Sequence, residues 1–171
     1  MKTIILLLLI IPTISLSQKT DVFVKLTDAK GVQIMGEATL KGFERWIGAT
    51  TISSGGKNNT ELSFTMAVSG VSSDLKRALA NGELLLNGQV TVLSPNPTTG
   101  YPVTSYTIKM ETIAVTFCSE AMGCNNVMTT SVNLRATRIG WTYYQIGKAG
   151  AQTISKKFGW DADTQSEWTN F

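Results

Sequence analysis

Apolar and polar residues alternate with a period of two along most of this chain. In DVFVKL, residues 21–26, Val22, Val24 and Leu26 fall on one side with Phe23 and Lys25 on the other, the pattern of a strand with one buried face. The following TDAKGVQIMGEATLKG holds three glycines and no sustained period, and it reads as a long connection. Apolar, β-rich runs return at 46–52 and 62–68, on either side of SSGGKNNT. Gly55-Gly56 and Asn58-Asn59 tolerate positive φ, so these runs predict a hairpin.

A helical period stands out once. Ser72 or Ser73 can cap the first amides, Asp74 suits the positive end of the dipole, and Leu75, Ala78 and Leu79 share a face before Asn81-Gly82 ends the pattern. A helix of roughly two to three turns is unstable alone, so Leu75 and Leu79 are expected to dock on a sheet.

The alternation resumes in LLLNGQVTVL and is broken by SPNPTTGYP, which holds three of the four prolines. Two long strands follow. In YTIKMETIAVTF the inward set runs Tyr106, Ile108, Met110 and then changes phase to Ile113, Val115, Phe117. In VNLRATRIGWTYY, Val132, Leu134 and Ala136 give way to Ile139, Trp141 and Tyr143. A period of two cannot change phase without an extra residue, so bulges are expected near Glu111-Thr112 and Thr137-Arg138, where they would bend the strands around a barrel. Ile139, Trp141 and Tyr143 are then core, with Tyr144 opposite, which argues against an exposed aromatic platform for sugars. The predicted class is all-β, a barrel or sandwich of antiparallel strands with one short flanking α-helix.

The first residues set the compartment. Lys2 precedes an apolar run over 4–11, and Ser15 and Ser17 stand before Gln18, so residues 1–17 read as a cleaved signal peptide and 18–171 as a single domain. The apolar run is shorter than the roughly 20 residues a spanning helix needs, so no stable membrane insertion is expected after cleavage. The protein is expected to be exported, periplasmic or extracellular. Its basic residues are scattered from Lys25 to Lys157 and form no stripe for nucleic acid.

In an oxidising compartment Cys118 and Cys124 are expected to close a disulfide at a hairpin tip, worth roughly 2 kcal/mol. Two thiols cannot complete a zinc shell, and the chain has no histidine, so no metal is expected there. The same absence removes the usual proton shuttle, and no serine stands in a G-x-S-x-G elbow. The acidic stretch Asp161-Ala-Asp163-Thr-Gln165-Ser-Glu167 lacks the glycine and terminal glutamate of a calcium loop. Gly147-Lys148-Ala149-Gly150 lacks the spacing of a phosphate loop. No catalytic residue, metal or cofactor is expected, and the chain does not read as an enzyme.

The order DVFVKL, GFERWIGATTISSGG, ELSFTMAVSGVSSDLKRALANGE, SYTIKMETIAVTF, then SVNLRATRIGWTYY and GWD resembles the haemolysin-coregulated protein (Hcp) family, over residues 21–161. That resemblance implies a β-barrel flanked by a helix, a hexameric ring of copies of itself, and rings stacked into the inner tube of the type VI secretion system. It further implies cargo in the lumen, secreted effector or tip proteins as partners, and no enzymatic activity. Two features depart from the family: the signal peptide, and an SSGGKNNT connection shorter than the extended loop that helps rings stack. An exported Hcp-like barrel acting alone, as a binding or adhesion module, is the alternative these departures raise.

Overall fold

The chain forms β1 (Asp21–Thr27), β2 (Ile47–Gly55), β3 (Glu61–Ala67), α1 (Gly70–Asn81), β4 (Leu84–Pro95), β5 (Pro102–Met122), β6 (Met128–Ile146), β7 (Gln152–Asp161) and β8 (Ser166–Glu167). These elements belong to a computed structural model describing residues 21–55, 60–123, 126–147 and 151–171; the expected signal peptide at 1–17 lies outside them. The strands pair in the order β3-β2-β1-β4-β5-β6-β7-β8, all antiparallel. A further pairing of β3 with β6 closes the first six into a barrel and leaves β7 and β8 as an extension.

One edge of β6 therefore serves two partners. Its first part pairs with β3, from Ala67↔Thr129 to Glu61↔Arg135, and its second with β7, from Arg138↔Asp161 to Ile146↔Gln152. At the changeover the N–H of Ala136 donates to the Thr60 carbonyl at 3.0 Å and the N–H of Ala162 to the Thr137 carbonyl at 2.9 Å. These two bonds keep the Ala136 amide and the Thr137 carbonyl paired where one partner leaves and the next begins.

The core fills the barrel with Val24, Leu26, Leu62, Phe64, Leu85, Val90, Ile108, Met110, Ile113, Val132, Leu134 and Ile139, and α1 adds Val71, Leu75 and Ala78. Leu75 is fully buried, and Leu79 is half-buried against the same core. Burial of a side chain such as Leu75 contributes about 1.5 to 3 kcal/mol, which holds a twelve-residue helix too short to stand alone.

The helix starts earlier than its pattern suggests. Ser69, in extended conformation, is the N-cap, and Ser72 sits at the third helical position, where its Oγ accepts from the Ser69 N–H at 3.3 Å. That hydroxyl also meets Thr130 Oγ1 of β6 at 2.7 Å in the interior, so the cap and the docking site share one group. Gly82, left-handed at φ 63°, ends the helix.

The expected changes of phase are present, but they are not register shifts. Burial switches from Met110 to Ile113 on β5 and from Ala136 to Ile139 on β6, while the pairs Glu111↔Arg138 and Ile113↔Ala136 keep one register. The neighbouring β4 switches at the same level, from Leu85 to Gly88. Three strands thus bend together around Thr112, whose φ is +51°, and the ladder stays in step. The bulges lie elsewhere, between Ala49 and Thr51, between Val92 and Leu93, between Val115 and Phe117 and between Tyr143 and Tyr144.

Candidate assembly surfaces

Strands β1, β4, β5 and β6 turn one face to the core and the other outward, β7 extends the sheet beside β6, and the register aligns the outward residues into rows. Asn87, Glu111, Arg138 and Asp161 form the first row, Lys25, Gln89, Lys109, Gly140 and Gly159 the second, and Phe23, Thr91, Thr107, Thr142 and Lys157 the third.

The first row is an ion-pair ladder. Arg138 Nη1 lies 3.2 Å from Glu111 Oε2, and Arg138 Nε lies 2.7 Å from Asp161 Oδ2. The other Asp161 oxygen accepts from the N–H groups of Asp163 and Thr164 at 3.0 and 3.2 Å, which folds the chain into a tight turn after β7. Arg138 first, then the Thr164 amide, hold the Asp161 carboxyl below the usual carboxylate range. Both of its oxygens are thus committed to structure.

The third row is a floor of threonines, Thr91, Thr107 and Thr142, buried although they lie outside the barrel. On one side stands the segment before β2, where Phe23 stacks on Phe43 at 4.7 Å, Trp46 meets Phe43 edge-on at 5.2 Å, and Lys25 reaches over Trp46. On the other side stands the end of the β6–β7 hairpin with Tyr144, Gln152 and Ile154, and the groove between holds about 560 Å³. A second groove of about 690 Å³ runs beside it along Lys25, Lys109 and Lys157 towards Trp168 and Phe171.

The second row ends in a notch. Gly140 and Gly159 are direct cross-strand partners, and the Phe171 ring occupies the space their side chains would fill. A Cβ on either glycine would come within 2.5 Å of that ring. Lys157 Nζ donates to the carbonyls of Phe171 at 2.5 Å and Thr169 at 3.3 Å and lies 4.0 Å from the Phe171 ring centre. The Trp168 ring leans on Phe171 at 4.9 Å, and the Trp168 backbone N–H donates to the Gly159 carbonyl at 2.9 Å. This site was missed in the sequence. Its signal was the repeated triplet Ile139-Gly140-Trp141 and Phe158-Gly159-Trp160, a glycine in the same place on two neighbouring strands.

The model of the family described as "Type VI secretion system effector, Hcp" matches residues 23–143, which span the barrel from β1 into the outer half of β6. The chain belongs to the Hcp family. Solved Hcp structures share the fold at low identity. Hcp1 from Salmonella typhimurium superposes with a TM-score of 0.70 at 17% identity, over 87% of this chain and 99% of that one. The structure of a type six secretion system protein gives 0.72 at 17%, over 88% and 100%. Hcp1 from the E. coli EAEC 042 pathovar, as a double mutant, gives 0.64 at 20%, over 83% and 98%. No curated protein matches the sequence.

In an Hcp subunit the surfaces are the working parts, and here exposed apolar side chains gather at both ends of the long β5–β6 pair. Phe117, Met122, Val127 and Met128 lie towards one tip; Tyr101, Tyr143, Ile154 and Phe158 lie towards the other. At about 3.4 Å per residue the 21 residues of β5 separate these ends by up to about 70 Å. Tyr143 is a correction to the expected core. Ile139 and Trp141 are buried, but Tyr143 is 48% exposed, because β6 has by then run past the barrel wall that would cover it. It leans on Tyr106 at 4.8 Å, and burial raises the Tyr106 hydroxyl to about 12. Trp141 Nε1 donates to Ser54 Oγ at 3.3 Å, giving its buried indole a partner across the barrel.

The expected disulfide is not seen. Cys118 is a free thiol on β5, its Sγ–H directed at the Ser72 carbonyl of α1 at 3.9 Å, and Cys124 lies outside the described residues. Burial pushes the thiol up, opposed by Lys76 and aided by Glu120. The strand continues past Cys118 to Met122 before the hairpin turns, so the thiol faces the helix and not the tip.

Proposed function

We propose that this chain is a ring-forming structural subunit of a type VI secretion inner tube, non-enzymatic, acting as a hexamer whose lumen receives secreted effectors. The family match over the whole barrel carries this reading. Two differently built surfaces on one subunit support it: the grooved outer face between the Phe43–Trp46 segment and β7, and the apolar tips of β5–β6. A subunit with two unlike surfaces associates head to tail, and such contacts close into a ring when their rotation permits. The leader 1–17 belongs to the proposal as a cleaved export signal, with Gln18 starting the mature chain.

Native mass spectrometry and negative-stain imaging of the mature protein over a range of concentrations test it. Closed rings are expected, predominantly hexamers, with little stacking because the connection at 53–60 is short. Deleting 55–59 should leave the rings intact. Monomers at every concentration would overturn the ring reading, and long spontaneous tubes would overturn the weight placed on that connection.

A further inference from the structure

The glycine notch displays its own ligand. An aromatic ring lies against Gly140 and Gly159, a second ring leans on the first, and Lys157 holds two backbone carbonyls of the same short segment. Nothing in these contacts requires that segment and notch belong to one copy. We propose that residues 166–171 exchange between neighbouring subunits, so that Trp168 and Phe171 of one copy fill the notch of the next. The choice of a second copy as partner rests on the ring reading above.

Two observations carry the exchange. The hinge is strained: Gln165, in the turn between β7 and β8, sits at φ +52°, a conformation that residues with a Cβ disfavour, and straightening the turn relieves it. Little backbone pairing holds the segment in place: the rungs Trp160↔Glu167 and Asp161↔Ser166 and the bond from the Trp168 backbone N–H to the Gly159 carbonyl tie it to β7, and these can be remade between copies.

The two Asp161 turn bonds and its pair with Arg138 oppose opening in an isolated subunit. A ring changes the balance, because it holds a neighbour's notch at high effective concentration. Donor segment and acceptor notch are different surfaces, so the exchange runs in one direction around the ring, as closure requires.

The test uses full-length chains with the photo-reactive ring p-benzoylphenylalanine in place of Phe171, mixed with ¹⁵N-labelled Phe171→Ala chains whose notch is vacant. After irradiation, cross-links are expected between differently labelled copies, joining position 171 to the peptides that contain Gly140 or Gly159. They should be lost when the acceptor also carries Gly140→Ala, while native mass spectrometry still shows rings. Rings with cross-links confined to single copies would overturn the exchange and leave the ring reading standing. Monomers without intermolecular cross-links would overturn both, and exchanged dimers that never form rings would uphold the exchange and overturn the ring.

Discussion

Gly159 is valuable for the side chain it lacks. A methyl group there would collide with the Phe171 ring and with the Trp168 backbone, and only one side of that contact can yield. Gly159→Ala should therefore displace the 166–171 segment and destabilise the fold by roughly 1 to 3 kcal/mol, the usual cost of overpacking. Urea melts followed by tryptophan fluorescence check this, and an unchanged midpoint would mean the segment contributes nothing. Asp161 makes the complementary case through charge. Its folded pKa is depressed, so its contribution to stability is complete above the unfolded value near about 4 and is lost as pH falls through the folded one. The melting-temperature gap between the wild type and Asp161→Asn should thus shrink from about pH 6 to about pH 3. A constant gap would show that the carboxylate charge is not what holds the turn.

At the scale of elements, α1 is tied to the barrel by few apolar anchors. Leu75→Ala should cost about 2 to 5 kcal/mol, and the half-buried Leu79 about half as much, measurable in the same melts. A loss below about 0.5 kcal/mol at Leu75 would mean the helix does not depend on that contact. The strands and the helix were legible because each carries its own period, whatever lies around it. Depth was not: alternation places Tyr143 on the inward face of β6 but cannot say that the facing wall has ended. Neither was the joint bend, since one strand's change of phase looks the same whether it bulges alone or bends with β4 and β6. The cap moved to Ser69 because Ser69, Ser72 and Ser73 are all competent, and contact with Thr130 decides among them. Gly140 and Gly159 were readable as glycines in strands, but their purpose depends on a ring about thirty residues beyond Gly140.

For the whole molecule, the barrel is a scaffold that fixes unlike surfaces on one rigid unit, and assembly follows from their placement. The way β3 and β7 share one edge of β6 also constrains the order in which the chain folds. The β6–β7 hairpin joins near neighbours in sequence, whereas Phe64↔Val132 and the other β3 rungs must close loops of about seventy residues, a slower event. For that interval the β6 edge from Thr129 to Arg135, which carries Val132 and Leu134, is open. An unpaired edge with apolar side chains is a template for the wrong strand, and the nearest candidate is β7 continuing along it. The turn at Asp161 steers the chain away where the berth of β3 begins. Pulse-labelled hydrogen exchange during refolding should show amides of the β6–β7 ladder protected before those of β3–β6, and simultaneous protection would count against this order. In the Asp161→Asn chain the vacant berth should be taken more often by misregistered pairing, seen as a larger aggregated fraction on refolding. A single carboxylate would then act as the guard that keeps a place for a strand still to arrive.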